Sequence, residues 1–413
     1  MADAPEIAII GGGIGGGALA TVLARQGLSV AVLERDISPV DRVRGEFMAP
    51  WGVTEADRLG VLDILHEAAG GFYVPIVIGY DENVAPEQAE ASARDLRAVH
   101  PIGTGPLCAG HPAMCEALCA AAVAAGAAVL RGVGNIAVTA GEPPSVSFEH
   151  EGYRFAWQPR LLIGADGRSS AVRRQLGFPL QRDEPHNLIG GMLIDAVPEW
   201  PQDKWERGTE GAIHHFVFPQ GGAKLRLYLC YGFDDRSRFT GAERERNLLD
   251  AFGNLSCLPQ ASAIARGKPI GPFHSYSNED HWVERPVAPG VALIGDAAGH
   301  NDPIIGQGLS IALRDARMGH EIICAGDLRP AAFERYVEER LERMRRLRIT
   351  ARLDATLRAE FGPSAAARRA RAFRRIFVEG RLAPFPGAAL AGPETVPAAA
   401  FEQQTIDALL ADD

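Results

Sequence analysis

A glycine cluster near the start of the chain constrains the fold more than any other feature of the sequence. Residues 11–17 read G-G-G-I-G-G-G, directly after the apolar run I-A-I-I at 7–10. The apolar run predicts a short buried strand. The stretch A-L-A-T-V-L-A-R-Q that follows has helical character, and Gly27 fits the end of that helix. The segment therefore predicts a strand, a tight turn and a helix.

Three of these glycines have the spacing of a dinucleotide-binding turn. In the pattern G-x-G-x-x-G, Gly11 allows the turn, Gly13 lets the backbone approach a pyrophosphate, and Gly16 lets helix and strand pack closely. The N-terminus of the helix offers unpaired N–H groups to that pyrophosphate. A second apolar run at 28–33 ends in Glu34, where an acid can accept hydrogen bonds from a ribose. The segment predicts a dinucleotide site, with FAD and NAD both open at this point.

Composition argues against several other classes. The chain of 413 residues has a net charge of −10, unlike a nucleic-acid binder with a basic face. Six cysteines without a C-x-x-C pair indicate a reduced, intracellular protein. His111, Cys115 and Cys119 fit buried side chains better than a metal site, since one helix face rarely supplies four ligands. Neither a secretory leader nor an uncharged membrane span is evident, so we expect a cytoplasmic protein that binds no metal, nucleic acid or membrane.

Two later segments share the pattern of a buried strand that ends in an acid. Residues 161–173 read L-L-I-G-A-D-G-R-S-S-A-V-R, with Asp166 at the end of the apolar stretch. Residues 291–316 read V-A-L-I-G-D-A-A-G-H-N-D-P-I-I-G-Q-G-L-S-I-A-L-R-D-A, with Asp296 in the same place. The loop between this acid and the next predicted helix contains Pro303, Gly306 and Gly308.

Together these motifs resemble the class A flavoprotein monooxygenases, the family of p-hydroxybenzoate hydroxylase. The glycine turn ending in Glu34, the D-G pair at 166–167 and the G-D pair at 295–296 occur in the family's order across most of the first 320 residues. V-R-G at 43–45 also fits the family's arginine after the second strand. The resemblance implies bound FAD and an α/β fold, in which a Rossmann-like FAD-binding domain carries an inserted β-sheet substrate domain and C-terminal helices.

The resemblance also implies roles for the matching residues. Glu34 would bind the adenosine ribose, and Arg44 would lie near the pyrophosphate and the flavin. Asp296 would hydrogen-bond the ribitol, and Asp166 would lie near the pyrophosphate. The full set of expected cofactor-binding residues is Gly11, Gly13, Gly16, Glu34, Arg35, Arg44, His111, Asp166, Gly295, Asp296, Pro303, Gly306 and Gly308.

The reactive side of the flavin is assigned in the same way. Pro303 would line it, and the helix that begins near Gly308 would aim its N-terminus at the N1–C2=O edge, where reduced flavin is anionic. His111 stands where related proteins often have arginine or glutamine near the flavin. The family often has histidine after G-D-A-A, whereas here Gly299 takes that place and His300 follows it.

The order of the motifs predicts a discontinuous domain organisation. One dinucleotide fingerprint occurs, so we expect no separate Rossmann domain for NAD(P)H. The predicted parts are an FAD-binding domain at 1–71, 107–182 and 276–327, a substrate-binding sheet domain at 72–106 and 183–275, and a C-terminal helical and extended covering segment at 328–413. Within the last part, interleaved acids predict a solvated arginine-rich helix face at 331–376 rather than a site for an anionic partner, and the proline- and alanine-rich stretch 381–400 predicts an extended chain.

Alternating runs at 213–219 and 224–231 predict a hairpin in the substrate-binding sheet. His214 and Phe216 would share one face and His215 the other, so that one histidine faces the pocket and its neighbour faces solvent or a partner. Ordinary polar strand residues are the alternative reading for both histidines. The expected catalytic residues are Pro303, His300, His214 and Tyr228.

The resemblance implies a reaction cycle. NADPH or NADH reduces FAD, O2 adds at the flavin C4a, and the hydroperoxide transfers one oxygen atom to a small aromatic or polyketide-like metabolite. Alternatives are a flavin-dependent reductase or halogenase of the same superfamily, or a flavin-binding protein without turnover. The chain has no W-x-W-x-I-P motif and no lysine before Lys204, which argues against the halogenase. The need for a separate reductase and the oligomeric state stay open.

Overall fold

The computed structural model describes residues 4–412, and a six-stranded sheet forms its centre. The strands Ile7–Ile10, Val30–Glu34 and Leu161–Gly164 lie side by side and run parallel. Their residues are almost all buried, as expected for a parallel sheet that is covered on both faces. The order across the sheet is Val287–Ala288, Val291–Leu293, Leu161–Gly164, Ile7–Ile10, Val30–Glu34 and Ala128–Arg131, and only the first pair is antiparallel in this described sheet.

Alternation of side chains along the parallel strands explains the two covering layers. Ile7 and Ile9 pack against helices on one face, whereas Ala8 and Ile10 pack against a three-stranded antiparallel sheet on the other. This arrangement confirms the Rossmann-like α/β fold expected from the sequence. The covering elements are the helices Ile14–Arg25, His111–Ala124 and Gly308–Cys324 and the strands Gly134–Thr139, Ser145–His150 and Tyr153–Trp157.

A second sheet of eight strands, the large sheet, is built around a hairpin. Ile213–Pro219 pairs with Leu225–Tyr231 around a turn at Gln220, so the predicted hairpin is confirmed. The helices Arg244–Gly253 and Ala261–Ala265 cover one face of the sheet. In order, its strands are Lys268–Pro269, Asn187–Asp195, Leu225–Tyr231, Ile213–Pro219, Lys204–Glu210, Ile76–Asp81 and Arg94–Asp95, and His274–Asn278 also pairs with Asn187–Asp195.

Short elements and further helices complete the described chain. Phe47–Met48, Leu107–Cys108 and Phe72–Tyr73 form a small sheet, and Gln181–Arg182 pairs with His281–Trp282. The remaining helices are Pro50–Leu59, Ile64–Ala68, Pro86–Ala91, Arg97–Val99, Ala171–Gln175, Phe233–Phe239, Gly295–Ala298, Pro303–Ile305, Pro330–Phe333, Glu334–Arg358, Pro363–Phe373, Arg374–Val378, Gly387–Leu390, Pro393–Thr395, Ala398–Phe401 and Gln403–Leu410.

The proline- and alanine-rich stretch 381–400 differs from the expectation of an extended chain. It folds into short helices at Gly387–Leu390, Pro393–Thr395 and Ala398–Phe401. Pro393 takes the first helical position, where its fixed φ and missing N–H suit a helix start, and alanine is the best helix former.

The expectation of a solvated arginine-rich face is also wrong for part of the helix Glu334–Arg358. Arg340 and Arg343 are only 1% and 3% exposed. Arg340 Nε donates to Asp315 Oδ2 at 3.0 Å, and Arg343 Nη2 donates to Asp315 Oδ1 at 2.6 Å. A buried carboxylate on a neighbouring helix is therefore the partner of these arginines, in place of water.

The domain limits given above stay a prediction. The strand His274–Asn278 crosses the limit proposed between residues 275 and 276, because it pairs with the large sheet. Within residues 4–412, no helix combines the length and the apolar character that a membrane crossing requires.

Candidate functional site

A cavity of about 1050 Å³ lies where the carboxyl ends of the parallel strands face the large sheet. One part is lined by the turns that follow the strands Ile7–Ile10, Val30–Glu34 and Leu161–Gly164. Another part is lined by side chains of the large sheet and of the C-terminal helices. Ligands of open α/β sheets bind outside the carboxyl ends of the strands, so this cavity is the candidate site.

The close packing around the turn explains why it is made of glycine. Gly11 has a φ of +107°, and a side chain there would overlap the carbonyl oxygen of Ala165. A Cβ on Gly16 would overlap the carbonyl oxygen of Gly11, where helix and strand approach each other. Gly13 lines the cavity, and a Cβ there would meet no described atom within 4 Å. The backbone at Gly13 is therefore open to a ligand group.

Glu34 ends its strand with the carboxylate bound to the glycine turn. Oε2 accepts the N–H of Gly12 at 2.6 Å, and Oε1 accepts the N–H of Asp36 at 2.8 Å. These bonds fix the carboxylate at the cavity wall and leave lone pairs for hydroxyl donors. The neighbouring Arg35 also lines the cavity, but its side chain is 72% exposed and pairs with Asp36 at 3.3 Å.

Asp166 lines the cavity, but its carboxylate is already engaged within the chain. Oδ2 accepts the N–H groups of Ala171 and Val172 at 2.6 and 3.1 Å, and Oδ1 accepts the hydroxyl of Ser170 at 2.5 Å. The carboxylate thus satisfies the first N–H groups of the helix Ala171–Gln175. The position of Asp166 near a pyrophosphate stays a prediction. In that position Asp166 would act by shaping the loop.

Arg44 and Arg168 bring positive charge to the middle of the cavity. Their guanidinium carbons lie 5.8 and 5.9 Å from the centre of the Tyr276 ring. Arg168 Nε is 3.4 Å from Asp296 Oδ2, whereas Arg44 has no ion-pair partner in the described part of the chain. Burial, and then the positive charge of Arg168, lowers the pKa of Arg44. This region has an excess of positive charge that an anionic ligand would balance.

A buried ion network fixes the loop that carries Asp296. Gly295 has a φ of +58° and donates its N–H to Asp315 Oδ2 at 2.8 Å. Arg340, which also binds Asp315, donates to the carbonyl oxygens of Gly295 and Gly299 at 3.2 and 3.0 Å. The loop is thereby held from behind, while Asp296 itself lines the cavity and is able to accept hydrogen bonds.

The loop after Asp296 leads to the N-terminus of a long helix. Asp302 Oδ1 accepts the N–H of Ile304 at 2.8 Å and so caps the short helix that Pro303 begins. Gly306 has a φ of +65°, a conformation that favours glycine, and Gly308 begins the helix Gly308–Cys324. Pro303, Gly306 and Gly308 all line the cavity. The first N–H groups of this helix are therefore placed beside a ligand.

His111 and His300 both line the cavity. Burial, and then the positive charge of Arg44, lowers the pKa of His111 to about 4. Burial, and then Arg168, also lowers the pKa of His300, whose ring centre lies 4.4 Å from that of His281. Both rings are therefore neutral near pH 7.

The structure separates the two candidates on the central hairpin. Tyr228 lines the cavity, whereas His214 is absent from the described residues that line it. His214 is buried behind Arg207, whose Nη2 lies 3.4 Å from His214 Nε2. Its Nδ1 lies 2.9 Å from Thr209 Oγ1. His214 thus contacts the cavity wall through Arg207, and a direct catalytic role for it stays a prediction.

The two faces of the hairpin strand are as expected, but their surroundings are not. His214 and Phe216 lie on one face, with ring centres 4.7 Å apart. His215 lies on the other face, 5.9 Å from the ring of Phe252. The expectation that one histidine faces solvent or a partner is wrong, because the helix Arg244–Gly253 covers the face of His215.

Glu46 holds Tyr228 in place. Tyr228 donates its hydroxyl to Glu46 Oε2 at 2.5 Å, and both residues line the cavity. Glu46 Oε1 has no hydrogen bond from any described residue and lies 3.3 Å from Arg226 Nη2. Burial raises the pKa of Glu46, against the opposing effect of Arg226. This carboxylate therefore takes up a proton more readily than an exposed one.

Aromatic rings form the wall beside Tyr228. The ring of Phe218 lies 5.5 Å from that of Trp205 and 5.9 Å from that of Phe216, and both pairs are stacked. Phe47 lies 4.9 Å from Trp205. Flat apolar walls with few polar groups suit a planar aromatic ligand.

Sequence reasoning missed several residues that line the cavity, among them Glu46, Arg168 and Tyr276. Glu46 and Arg168 each lie two residues after a motif residue, so proximity to a motif was the available signal. Tyr276 carries no local signal, because pairing within the large sheet places it there. Among the described residues, no group of three or more His, Cys, Asp or Glu is arranged to hold a metal ion.

Comparison with known proteins supports a flavin site. The sequence profile of the family described as FAD binding domain matches residues 5–350. Rifampicin monooxygenase of Streptomyces venezuelae is 25% identical over 324 residues, which cover 75% of this chain but 62% of that protein, so the chain spans less than two thirds of its length. Ubiquinone hydroxylase UbiL of Rhodospirillum rubrum is 27% identical over 402 residues, with 88% and 84% covered.

Solved structures share the fold at lower identity. PqsL of Pseudomonas aeruginosa is similar with a TM-score of 0.72 and 21% identity, covering 86% of this chain and 97% of that one. CmlS, a flavin-dependent halogenase, is similar with a TM-score of 0.70 and 18% identity, covering 88% and 66%. Likeness at this level describes the fold, and the reaction has to be argued from the site.

Proposed function

The chain belongs to the class A FAD-dependent monooxygenases, because it matches the family described as FAD binding domain. On that premise we propose that the protein inserts one oxygen atom from O2 into a small aromatic or polyketide-like metabolite, with NADPH or NADH as the reductant. The observation that carries this proposal is that the glycine turn and the aromatic wall line the same cavity. A cofactor bound at the turn would therefore meet a substrate bound at the wall.

The residues around the glycine turn fit FAD. Gly13 leaves the backbone open to a pyrophosphate, and Arg44 has positive charge to balance it. Glu34 and Asp296 would accept hydrogen bonds from the ribose and the ribitol, and the helix that begins at Gly308 would place its N-terminus beside the isoalloxazine. Bound FAD would pass two electrons from the nicotinamide cofactor to O2, so that one oxygen atom of O2 enters the substrate and the other leaves as water.

Tyr228 and Glu46 would act on the proton of a hydroxylated aromatic substrate. The oxygen of Tyr228 would accept a hydrogen bond from the substrate hydroxyl while its own proton points to Glu46. Burial, and then the charge of Glu46, raises the pKa of Tyr228, so the phenol stays protonated at rest. It would therefore take the proton of the substrate hydroxyl only as it gives its own proton to Glu46. Loss of the hydroxyl proton makes the substrate ring more electron-rich, which favours oxygen transfer.

The C-terminal segment would keep water out of the reaction space. Phe385, Ala389 and Leu390 are buried, line the cavity and pack in one apolar cluster with Trp205, Phe216 and Phe218 of the large sheet. Exclusion of water would protect a reactive intermediate from decay before it reacts with the substrate.

Halogenation, reduction and binding without turnover are the alternatives. Lys204 pairs with Glu206 at 3.2 Å, and no lysine is present among the described residues that line the cavity. This argues against a halogenase that needs an active-site lysine. A cavity that joins the cofactor region to an aromatic chamber argues against a protein that only stores flavin.

Labelled oxygen tests the proposal. The FAD-loaded protein is incubated with a panel of aromatic metabolites, NADPH or NADH, and ¹⁸O2. We expect a true substrate to stimulate NAD(P)H oxidation and to gain one labelled atom by mass spectrometry. A product without label, with chlorine, or with two added hydrogens would contradict oxygen insertion. A parallel arm with an added flavin reductase tells whether a separate reductase is needed.

A further inference from the structure

Three arginines, Arg94, Arg207 and Arg358, line the cavity beyond Phe216, on the side away from Tyr228. Arg207 belongs to the strand Lys204–Glu210, Arg94 to an edge strand, and Arg358 ends a long C-terminal helix. The proposed reaction gives none of them a role. Buried positive charge is costly unless it is paired, so this cluster needs a physical explanation.

Acidic partners do not balance the cluster. Asp354 accepts hydrogen bonds from Arg207 Nη2 at 2.6 Å and from Arg358 Nε at 2.9 Å, so one carboxylate serves two guanidinium groups. Arg94 pairs with no acid in the described part of the chain. Asp81 also lines this region, but it is bound at 2.6 Å by Arg369, which pairs as well with the more exposed Glu82 at 2.9 Å. Two buried cations and one buried anion leave an excess of one positive charge, and the exposed Arg94 adds to it.

Donor groups on these arginines are also unused. Arg207 is 7% exposed, and its Nε has no hydrogen-bond partner among residues 4–412. Arg358 donates through Nε, and no hydrogen bond from its terminal nitrogens is found within the described residues. Burial, and then the charges of Arg207 and Arg94, lowers the pKa of Arg358 to about 9. The cluster thus combines uncompensated charge with unfilled hydrogen bonds.

The guanidinium groups lie against aromatic rings. The guanidinium carbon of Arg207 lies 5.2 Å from the ring centre of Phe216 and 5.5 Å from that of Phe385. That of Arg358 lies 4.5 Å from the ring centre of Phe373. A stacked guanidinium presents its N–H donors at its edge, which suits bidentate binding of a carboxylate.

Strand register gives the distance from this cluster to Tyr228. Tyr228 pairs with Phe216, and Phe216 pairs with Arg207, so the three form a row across three strands. Two strand spacings separate the outer backbones by about 10 Å. A planar molecule of two fused rings has a suitable length for this row.

We propose that the substrate is an aromatic carboxylic acid, whose carboxylate binds Arg207 and Arg358, with Arg94 at the rim, while its far ring lies beside Tyr228. This inference rests on the proposed function and narrows its substrate class. One carboxylate balances the single excess charge of the buried part of the cluster. The oxygens of this planar carboxylate accept hydrogen bonds from the guanidinium N–H groups that are otherwise unused.

Two probes of the same shape test the assignment. Equilibrium dialysis with the FAD-loaded protein compares 6-hydroxy-2-naphthoate with its neutral analogue, 6-hydroxy-2-naphthamide. We expect the acid to bind at least about tenfold more tightly, since hydrogen bonds between charged groups exceed neutral ones by this order. Equal dissociation constants for the two probes would overturn the proposal.

Variants locate the binding site of the acid. Arg207→Gln should weaken binding of the acid about tenfold or more and leave binding of the amide within about threefold. Arg94→Gln, at an exposed residue with little risk to folding, should lower the preference for the acid in the same direction. Arg97→Gln is the matched control, since Arg97 is a nearby exposed arginine that pairs with Asp95. If Arg207→Gln does not fold, Arg94→Gln decides, and an unchanged preference for the acid there would overturn the proposal.

The binding experiment separates this inference from the proposed function. An arginine-dependent preference for the acid without any oxygenated product supports the anion site and contradicts oxygen insertion. Incorporation of ¹⁸O into neutral aromatics, with no preference for the acid in binding, supports the monooxygenase and overturns the anion site.

Discussion

Tyr228 donates its hydroxyl to Glu46 at 2.5 Å and thereby joins the large sheet to the segment that follows the second parallel strand. Arg226, two residues before Tyr228 on the same strand, lies 3.3 Å from the free oxygen of that carboxylate and 2.7 Å from Asp41. The phenol and the carboxylate are therefore held together in the cavity wall, between the glycine turn and the aromatic wall. Their geometry makes them the first residues to test by substitution.

Glu46→Gln keeps the shape of the side chain and removes the proton acceptor. With a hydroxylated substrate we expect kcat to fall about 10²- to 10⁴-fold, the usual contribution of general acid–base catalysis, while FAD affinity stays unchanged. Steady-state kinetics and flavin titration measure the two effects. Tyr228→Phe should lower kcat by a similar factor. The double variant should lose no more kcat than the less active of the two single variants. Losses that multiply in the double variant would argue against a shared proton path.

Glu34→Ala should weaken FAD binding. The substitution removes a carboxylate whose hydrogen bonds to ribose hydroxyls are each worth ~1.5–3 kcal/mol, so we expect the dissociation constant to rise about ten- to hundredfold. Calorimetric titration of the flavin-free protein measures it. Glu87→Ala is the control, because this acid is exposed and is not among the described residues that line the cavity, so it should change the affinity less than threefold, roughly 0.6 kcal/mol. Equal effects of the two substitutions would exclude Glu34 as the ribose ligand.

Alanine at two glycines should give opposite phenotypes. A Cβ at Gly16 would overlap the carbonyl oxygen of Gly11, so Gly16→Ala should yield little folded protein. A Cβ at Gly13 would meet no described atom within 4 Å, so Gly13→Ala should fold and lose FAD affinity, because the methyl group would occupy the space of the pyrophosphate. Circular dichroism and flavin content distinguish the two. A folded Gly13→Ala protein with full flavin content would place the pyrophosphate elsewhere.

Asp280→Asn should change the pH dependence of stability. Asp280 Oδ1 accepts hydrogen bonds from Asn301 Nδ2 at 2.6 Å and from the N–H of Asp302 at 3.1 Å. Burial, and then the negative charge of Asp302, raises the pKa of Asp280 to about 7. An unfolded aspartate ionises near pH ~4, so from there to about pH 7 the folded protein keeps a proton that the unfolded chain releases, and stability falls as the pH rises.

Asparagine cannot ionise, and its side-chain oxygen is still able to accept both hydrogen bonds. We therefore expect the variant to match wild type near pH ~4 and to exceed its free energy of unfolding by on the order of 2–4 kcal/mol at pH ~8. Urea unfolding across this pH range measures the difference. Glu284→Gln, at an exposed acid of the same region, should leave the curve unchanged. A constant difference at all pH values would mean that Asp280 is ionised throughout.

The sequence predicted those parts of the site that depend on local backbone chemistry. Gly11, Gly13 and Gly16 and the acid at Glu34 belong to one strand–turn–helix–strand unit, so their spacing alone indicates what they contact. Arg340 and Arg343 could not be placed in this way. In the sequence their spacing does not differ from that of solvated arginines on the same helix. Only the packing of a separate helix brings Asp315 to them.

The histidines on the hairpin illustrate the same limit. Strand alternation correctly predicted that His214 and His215 lie on opposite faces, but it does not indicate what covers each face. The helix that buries His215 and the arginine that lies between His214 and the cavity come from other parts of the fold. Tyr276 was missed for a related reason, because pairing between distant strands of the large sheet brings it to the cavity.

The ion network around Asp315 imposes an order on the assembly of the protein. Gly295 and Gly299 receive hydrogen bonds from Arg340, and Arg340 belongs to a helix that begins only at Glu334. During synthesis Asp296 is made about forty residues before this helix begins, because a chain emerges from its N-terminus onward. Until then Asp315 lacks the cations that neutralise it in the folded core. The loop of Asp296 therefore reaches its final hydrogen bonding late, when the helix Glu334–Arg358 docks against it.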